Sequence, residues 1–214
     1  MKSSYEYRAM ARETLAGRWN ESAMAYLVIL GIAYLFVGSS AMVPEGIVWA
    51  QGTVGGLQVA LSILLIAPLT YGFYNAMLGM SRDVSNGAAH DMFDYFSQDY
   101  SRSVPANFLV YLAEIGLGVI TLGIGAIVLQ YAYAMVPYLL KDYPELTATE
   151  ALRTSRQMMK GHKWDLFVLD LSFIGWILLS ICTLCIGMLW VTPYMYMAHA
   201  HFYENLKAEM IVEE

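Results

Sequence analysis

The stretch Ala106–Leu140, ANFLVYLAEIGLGVITLGIGAIVLQYAYAMVPYLL, decides how this chain folds. Its 35 residues include one charged side chain, Glu114. A continuous apolar run without strict alternation reads as helix in a membrane rather than strand. As one helix it would extend about 52 Å at about 1.5 Å per residue, whereas the hydrocarbon core of a bilayer is about 30 Å thick. Gly123 and Gly125 stand near its middle. The run is therefore expected to fold as a hairpin of two short spans turned at those glycines.

Working outward, Trp164–Tyr203 is longer still and carries Gly187 near its middle, which predicts a second hairpin. The earlier runs, Ser22–Met42 closed by Pro44 and Gly55–Met80, are each of single-span length. Six spans follow. With that count, all 12 basic residues fall on one side: Lys2, Arg8, Arg12, Arg18, Arg82, Arg102, Lys141, Arg153, Arg156, Lys160, Lys163 and Lys207. The positive-inside rule makes that side, with both termini, cytoplasmic. A single crossing by Ala106–Leu140 would instead send the basic segment Lys141–Lys163 outside. Trp19 and Trp164 at the inner ends of spans, and Trp49 and Trp190 at the outer ends, suit the headgroup level.

Composition agrees. Hydrophobic residues are 58% and charged residues 14% of the chain, against about 25% charged in a soluble domain, and the mean hydropathy is +0.48. The basic residues, 12 in all and without a long run, argue against a nucleic-acid partner. Met1–Glu21 is polar and lacks the pattern of a cleaved signal, so the first apolar run is expected to be retained. Two cysteines exclude a disulfide framework.

Phe108-x-x-x-Leu112-x-x-Ile115-Gly116 followed by Thr121-Leu122-x-Ile124-Gly125 is echoed by Phe167-x-x-x-Leu171-x-x-Ile174-Gly175 and Thr183-Leu184-x-Ile186-Gly187. Amphipathic helices are expected before the hairpins. Their faces are Tyr7, Met10, Ala11, Thr14 and Leu15; Ala89, Met92, Phe93 and Phe96; and Ala148, Ala151, Leu152, Ser155, Met158 and Met159. Thr147 and Glu150 are spaced as a capping box. The expected fold is an all-α integral membrane bundle: six short spans as three hairpins, with amphipathic interfacial helices on the cytoplasmic side. It forms a single membrane domain, 1–214, of parallel repeat units 5–80, 88–140 and 147–206.

Leu171-Ser-Phe-Ile-Gly-Trp176 follows Ala151-x-x-x-Ser155-x-x-Met158-Met-x-Gly161 and precedes Thr192-Pro193-Tyr194 and Phe202-Tyr203. This pattern, with Arg12-x-x-Leu15-x-Gly17-x-Trp19, resembles an uncharacterised bacterial family of integral membrane proteins, a domain of unknown function. The resemblance implies bacterial origin and an inner-membrane or plasma-membrane location. It supplies no reaction, substrate or cofactor. Cys185 stands where a small residue is expected.

Several side chains are candidates for a site. Glu114, mid-span three, and Asp170, in the cytoplasmic third of span five, each cost about 2.5–3.5 kcal/mol to insert and so need a partner or a wet cavity. Each reads either as a proton, cation or substrate site or as a structural hydrogen bond. His199 and His201 point about 200° apart on a helix, so they cannot chelate one metal together, though one can pair with Asp170. No metal site is expected. Cys182 and Cys185 have the spacing of a redox pair, but without a second pair they are expected to be small packing residues. Arg153, Arg156, Lys160 and Lys163 are candidate contacts for anionic lipid headgroups, at about 1 kcal/mol per charge. The Met188–Met197 stretch with Tyr194 and Tyr196 reads as helix packing.

No phosphate loop, G-x-S-x-G or H-E-x-x-H motif is present. The expected role is non-enzymatic and cofactor-free, in a membrane component binding lipids, a partner protein or a second copy. The alternative is a small-molecule or ion permease using Glu114 and Asp170, with helix breaks at Pro68, Pro137 and Pro193. A redox enzyme on the cysteine pair ranks last. A permease needs carboxylates lining a common cavity. A binding component needs a packed centre.

Overall fold

Ser3 and Glu6 start the first helix. The Glu6 carboxylate accepts the Ser3 amide at 2.6 Å, and Ser3 Oγ accepts the Glu6 amide at 3.3 Å, which satisfies two of the donors that a helix start leaves free. The computed structural model describes residues 2–40, 48–98, 100–121 and 123–213, and every element among them is helical. Met42, Pro44 and Leu122, with the side chains of Trp49 and Phe96, lie outside the described residues.

Helix α1 (Ser4–Thr14) turns at Gly17, whose φ of +83° suits glycine, into α2 (Trp19–Ser40). Then α3 (Val48–Leu61), a widened turn at Ser62–Ile66 and α4 (Ala67–Ser81) form one continuous stretch. Pro68 accounts for the widening: its ring lacks an N–H and crowds the Leu64 carbonyl, and a wider turn absorbs both defects without a break. Helix α5 (Ala88–Gln98) is capped from α2, because the Glu21 carboxylate accepts the Ala88 amide at 2.5 Å. Helices α6 (Tyr100–Ile120), α7 (Ile124–Tyr133) and α8 (Val136–Asp142) follow. Next come α9 (Ala148–Met158), α10 (Lys163–Leu171), α11 (Ile174–Cys182) and α12 (Met188–Glu213).

Among the described residues, three stretches are long and apolar enough to cross a membrane: Gly52–Ser81, Ile124–Asp142 and Lys163–Cys182. Their surfaces, with that of α6, carry exposed Leu57, Leu112, Val119, Ile124, Ile127, Leu178 and Leu179. An apolar surface this extensive is stable in lipid and aggregates in water.

The two T-L-x-I-G motifs build matching turns. Gly125 N–H donates to Thr121 Oγ1 at 2.7 Å, and Gly187 N–H donates to Thr183 Oγ1 at 3.2 Å. A Cβ on Gly125 would lie 2.6 Å from Leu117, and one on Gly187 3.0 Å from Cα of Ser180, so both glycines permit close approach of the neighbouring helix. The left-handed residues differ. Gly123 takes φ +90° in the first turn, whereas Leu184 and Cys185 take +54° and +65° in the second. Turning at the second hairpin is thus not the work of Gly187, as the sequence suggested. Cys185 occupies the place of Gly123, in a conformation costing roughly 1–2 kcal/mol for an L-residue. Cys185→Gly is expected to raise stability by about 1 kcal/mol, read as a higher unfolding temperature in detergent. A lower one would show that the thiol itself contributes there.

The short amphipathic helices pack on the longer ones: α5 on α4, α9 on α6 and α8, and α1 on α12, so that the first and last helices meet. Helices α1 and α9 match in detail. Both begin with a capping box and end before a left-handed glycine, Gly17 or Gly161. Tyr7, Ala11 and Leu15 are buried in one, and Ala151, Ser155 and Met159 in the other. The Thr147 hydroxyl and amide hold the Glu150 carboxyl below its usual range.

Three expectations need correction. The buried face of α5 is Ala88 and Met92, not Ala89 and Phe93, which are exposed. The cause is the close seat of α5 on α4, which selects the residues facing Gly72. Pro193 lies inside an uninterrupted α12 and breaks nothing; of the three prolines only Pro137 coincides with a break, after Met135. Cys182 and Cys185 are exposed rather than packed, because the turn projects beyond the helices.

Candidate functional site

Asp170 on α10 meets two partners from other helices. Tyr131 Oη on α7 donates to its Oδ2 at 3.0 Å, and His199 Nε2 on α12 lies 2.6 Å from its Oδ1. An apolar bundle leaves a carboxylate no water to fall back on, so these bonds tie three helices together. The rings of Phe167 and Tyr196 flank the group. His201, two residues further, turns the other way and meets Thr14 Oγ1 of α1 at 3.0 Å. Glu114 stands apart on α6 between exposed Tyr111 and Ile115, with no polar partner among the described residues. The structure thus brings Asp170 and His199 together and leaves Glu114 and His201 elsewhere. No group of three or more His, Cys, Asp or Glu suited to a metal occurs among the described residues.

A second polar cluster has no counterpart in the sequence reading. The Asp142 side chain is only 5% exposed at the end of α8. It receives Arg82 Nη1 at 2.6 Å and Nη2 at 2.7 Å, Tyr203 Oη at 2.9 Å and Lys207 Nζ at 2.5 Å. Arg82 Nε also reaches Glu204 at 2.6 Å. The planar guanidinium grips the carboxylate bidentately, which fixes α4 against α8 and α12. With Arg18–Asp83 and the bonds from Arg102 to the carbonyls of Tyr143 and Leu146, the polar segments gather at one end of the bundle. The one available signal was an aspartate closing an apolar run with no cation in its own helix face; its partners lie 60 and 65 residues away.

The centre is filled by rings. Tyr74 of α4 contacts Tyr138 of α8 at 5.6 Å and Tyr196 of α12 at 4.4 Å between centroids, and Tyr138 stacks on Tyr203 at 5.0 Å. Phe73 adds an edge contact to Tyr196. Tyr138, Phe73 and Tyr203 are wholly buried.

On the flank, Arg153, Arg156, Gln157, Lys160 and Lys163 line a cleft of about 460 Å³. Beside it a groove of about 320 Å³ runs between α6, α7 and α9, walled by Leu109, Tyr133, Thr149 and Leu152, and sharing Arg153 and Arg156. A smaller cleft of about 210 Å³ lies over Leu139, Tyr143, Met158 and Lys207. Cys182 and Cys185, at the far turn, are free thiols.

A family model described as a protein of unknown function, DUF975, matches residues 103–210. The chain belongs to that family. No curated protein and no solved structure matches it. The DUF975 match holds Asp170 with both of its partners, Asp142 with Tyr203 and Lys207, and the whole basic cleft. Arg82 and the α1–α5 portion precede it.

Proposed function

We propose that this DUF975 protein is a non-enzymatic membrane component that binds lipids or another membrane protein and is not a conduit. Its six spans form three hairpins in a bacterial inner or plasma membrane, with both termini and the polar end in the cytoplasm. Helix α5 seals the second span of the hairpin before it, α9 lies across both spans of the next, and α1 packs on α12.

The centre carries this reading. One tyrosine from each of α4, α8 and α12 meets where a translocation path would run, and the rings pack at contact distance. Neither Glu114 nor Asp170 lines the clefts at the polar end or on the flank. The permease reading draws on Asp170, an ionisable group inside a span. Its Tyr131 and His199 partners favour a structural role. Purified protein reconstituted in liposomes is expected to pass protons and monovalent cations no faster than empty vesicles, measured with an entrapped pH dye and an ion-selective electrode. Saturable flux that disappears in Asp170→Asn or Glu114→Gln would overturn the proposal in favour of the permease.

A further inference from the structure

Most cations at the polar end are committed to protein acceptors. Arg82 and Lys207 serve Asp142, Arg102 serves two backbone carbonyls, and Arg8 Nη1 donates to the Ser172 carbonyl at 3.1 Å. Arg153, Arg156, Lys160 and Lys163 differ: no hydrogen bond or salt bridge engages them among the described residues. The neighbouring acids are occupied. Glu150 caps its own helix through Thr147, and Asp165 faces His162 at 3.3 Å. Arg153 feels the Glu150 carboxylate at a distance, yet the cluster keeps an excess of positive charge, which a bound anion relieves.

The surroundings specify the kind of anion. The groove beside the cleft is walled by Leu109, Tyr133 and Leu152, and it begins at the same Arg153 and Arg156 that border the cleft. Phe108 and Leu112, on the neighbouring turns of α6, are about half exposed. Trp164, next to Lys163, is 69% exposed, as befits a ring at the headgroup level. A phosphate-sized charge and an apolar tail are thus accommodated side by side at one depth.

We infer that α9 with the α6–α7 groove forms a single site for an anionic phospholipid. Arg153, Arg156, Lys160 and Lys163 hold the phosphate, and one acyl chain lies along Leu109, Tyr133 and Leu152. The inference rests on the reading of the chain as a membrane-embedded binding component, and it names the ligand class. Guanidinium groups grip phosphate oxygens in pairs, which favours a fixed lipid over a diffuse ionic cloud. A free phosphate shares the charge but leaves the groove unused.

The test is native mass spectrometry of the delipidated full chain, titrated with phosphatidylglycerol and, separately, with phosphatidylcholine of the same chains. One phosphatidylglycerol is expected to be retained where phosphatidylcholine is lost. Arg153→Gln/Arg156→Gln is expected to weaken retention on the order of 30-fold, at about fivefold per charge. Arg153→Lys/Arg156→Lys, which keeps the charges but loses the paired donors, is expected to recover only part of it, and thermal unfolding of both variants reports whether the fold is intact. Inorganic phosphate at millimolar concentration is expected not to displace the lipid. Equal retention of the two lipids, unchanged retention in a folded Gln variant, or displacement by phosphate alone would overturn the site. Flux in the liposome experiment would remove the non-conducting reading and leave this site standing. Loss of lipid preference without flux would do the reverse.

Discussion

Asp142→Asn is expected to lose about 3 kcal/mol of stability, the toll for breaking a buried ion pair from one side. The wild-type carboxylate, 5% exposed, is shared by Arg82 and Lys207, and with Glu204 it balances their two charges. The amide would remove that charge and place an N–H donor against groups that are themselves only donors. Glu204 retains part of Arg82, so the loss falls short of the upper range for a fully isolated charge. Thermal unfolding in detergent measures it. Asp83→Asn is the comparison, since Asp83 is 86% exposed and 3.6 Å from Arg18. Such a surface pair contributes about 0–1 kcal/mol. If both variants unfold at the wild-type temperature, the clamp does not hold α4, α8 and α12 together.

Gly72→Ala is expected to cost about 3 kcal/mol, the upper end for overpacking. A Cβ at Gly72 would lie 2.3 Å from the backbone oxygen of Met92 and 3.1 Å from its carbonyl carbon. Backbone atoms cannot rotate aside, so α5 must move off α4 and uncover Ala88 and Met92, both fully buried. Gly79→Ala on the same helix meets nothing closer than Asp91 Oδ2 at 3.6 Å. There the gain in helix propensity, up to about 1 kcal/mol, is expected to raise stability. Equal unfolding temperatures for the two alanine variants would show that α5 does not dock closely on α4.

Much of the secondary structure was legible because its causes are local. Run length against bilayer thickness placed the hairpin at Gly123, where the chain takes a positive φ. The capping box at Thr147 was readable from spacing alone, and its counterpart at Ser3 has the same form. The break in the second long run was expected near its middle, where α11 ends at Cys182 and α12 begins at Met188, but it was assigned to the wrong residue, because glycine is only one way to reach a left-handed conformation and Leu184 and Cys185 reach it at a cost. In α5 the periodic pattern allowed two neighbouring faces, and the proximity of Met92 to Gly72 chose between them. Of the candidate site residues, the opposite directions of His199 and His201 on one helix left one of the two to pair with Asp170, and the structure shows it to be His199. Tyr131 carried no such signal, since any of 16 tyrosines could have served.

By itself the sequence determined an all-helical chain with membrane-like spans, the helix starts, and the placing of basic residues in segments between apolar runs. Those follow from hydrogen-bond satisfaction, segment length and transfer free energy, which act within one segment and its solvent. Only the tertiary structure decided that Asp142 gathers Arg82 and Lys207, that tyrosines from α4, α8 and α12 fill the centre, and that Arg153, Arg156, Lys160 and Lys163 make no hydrogen bond or salt bridge among the described residues. Each depends on the angles and registers at which distant helices meet, and those are set by small clearances such as Gly72 against Met92, which no single segment encodes.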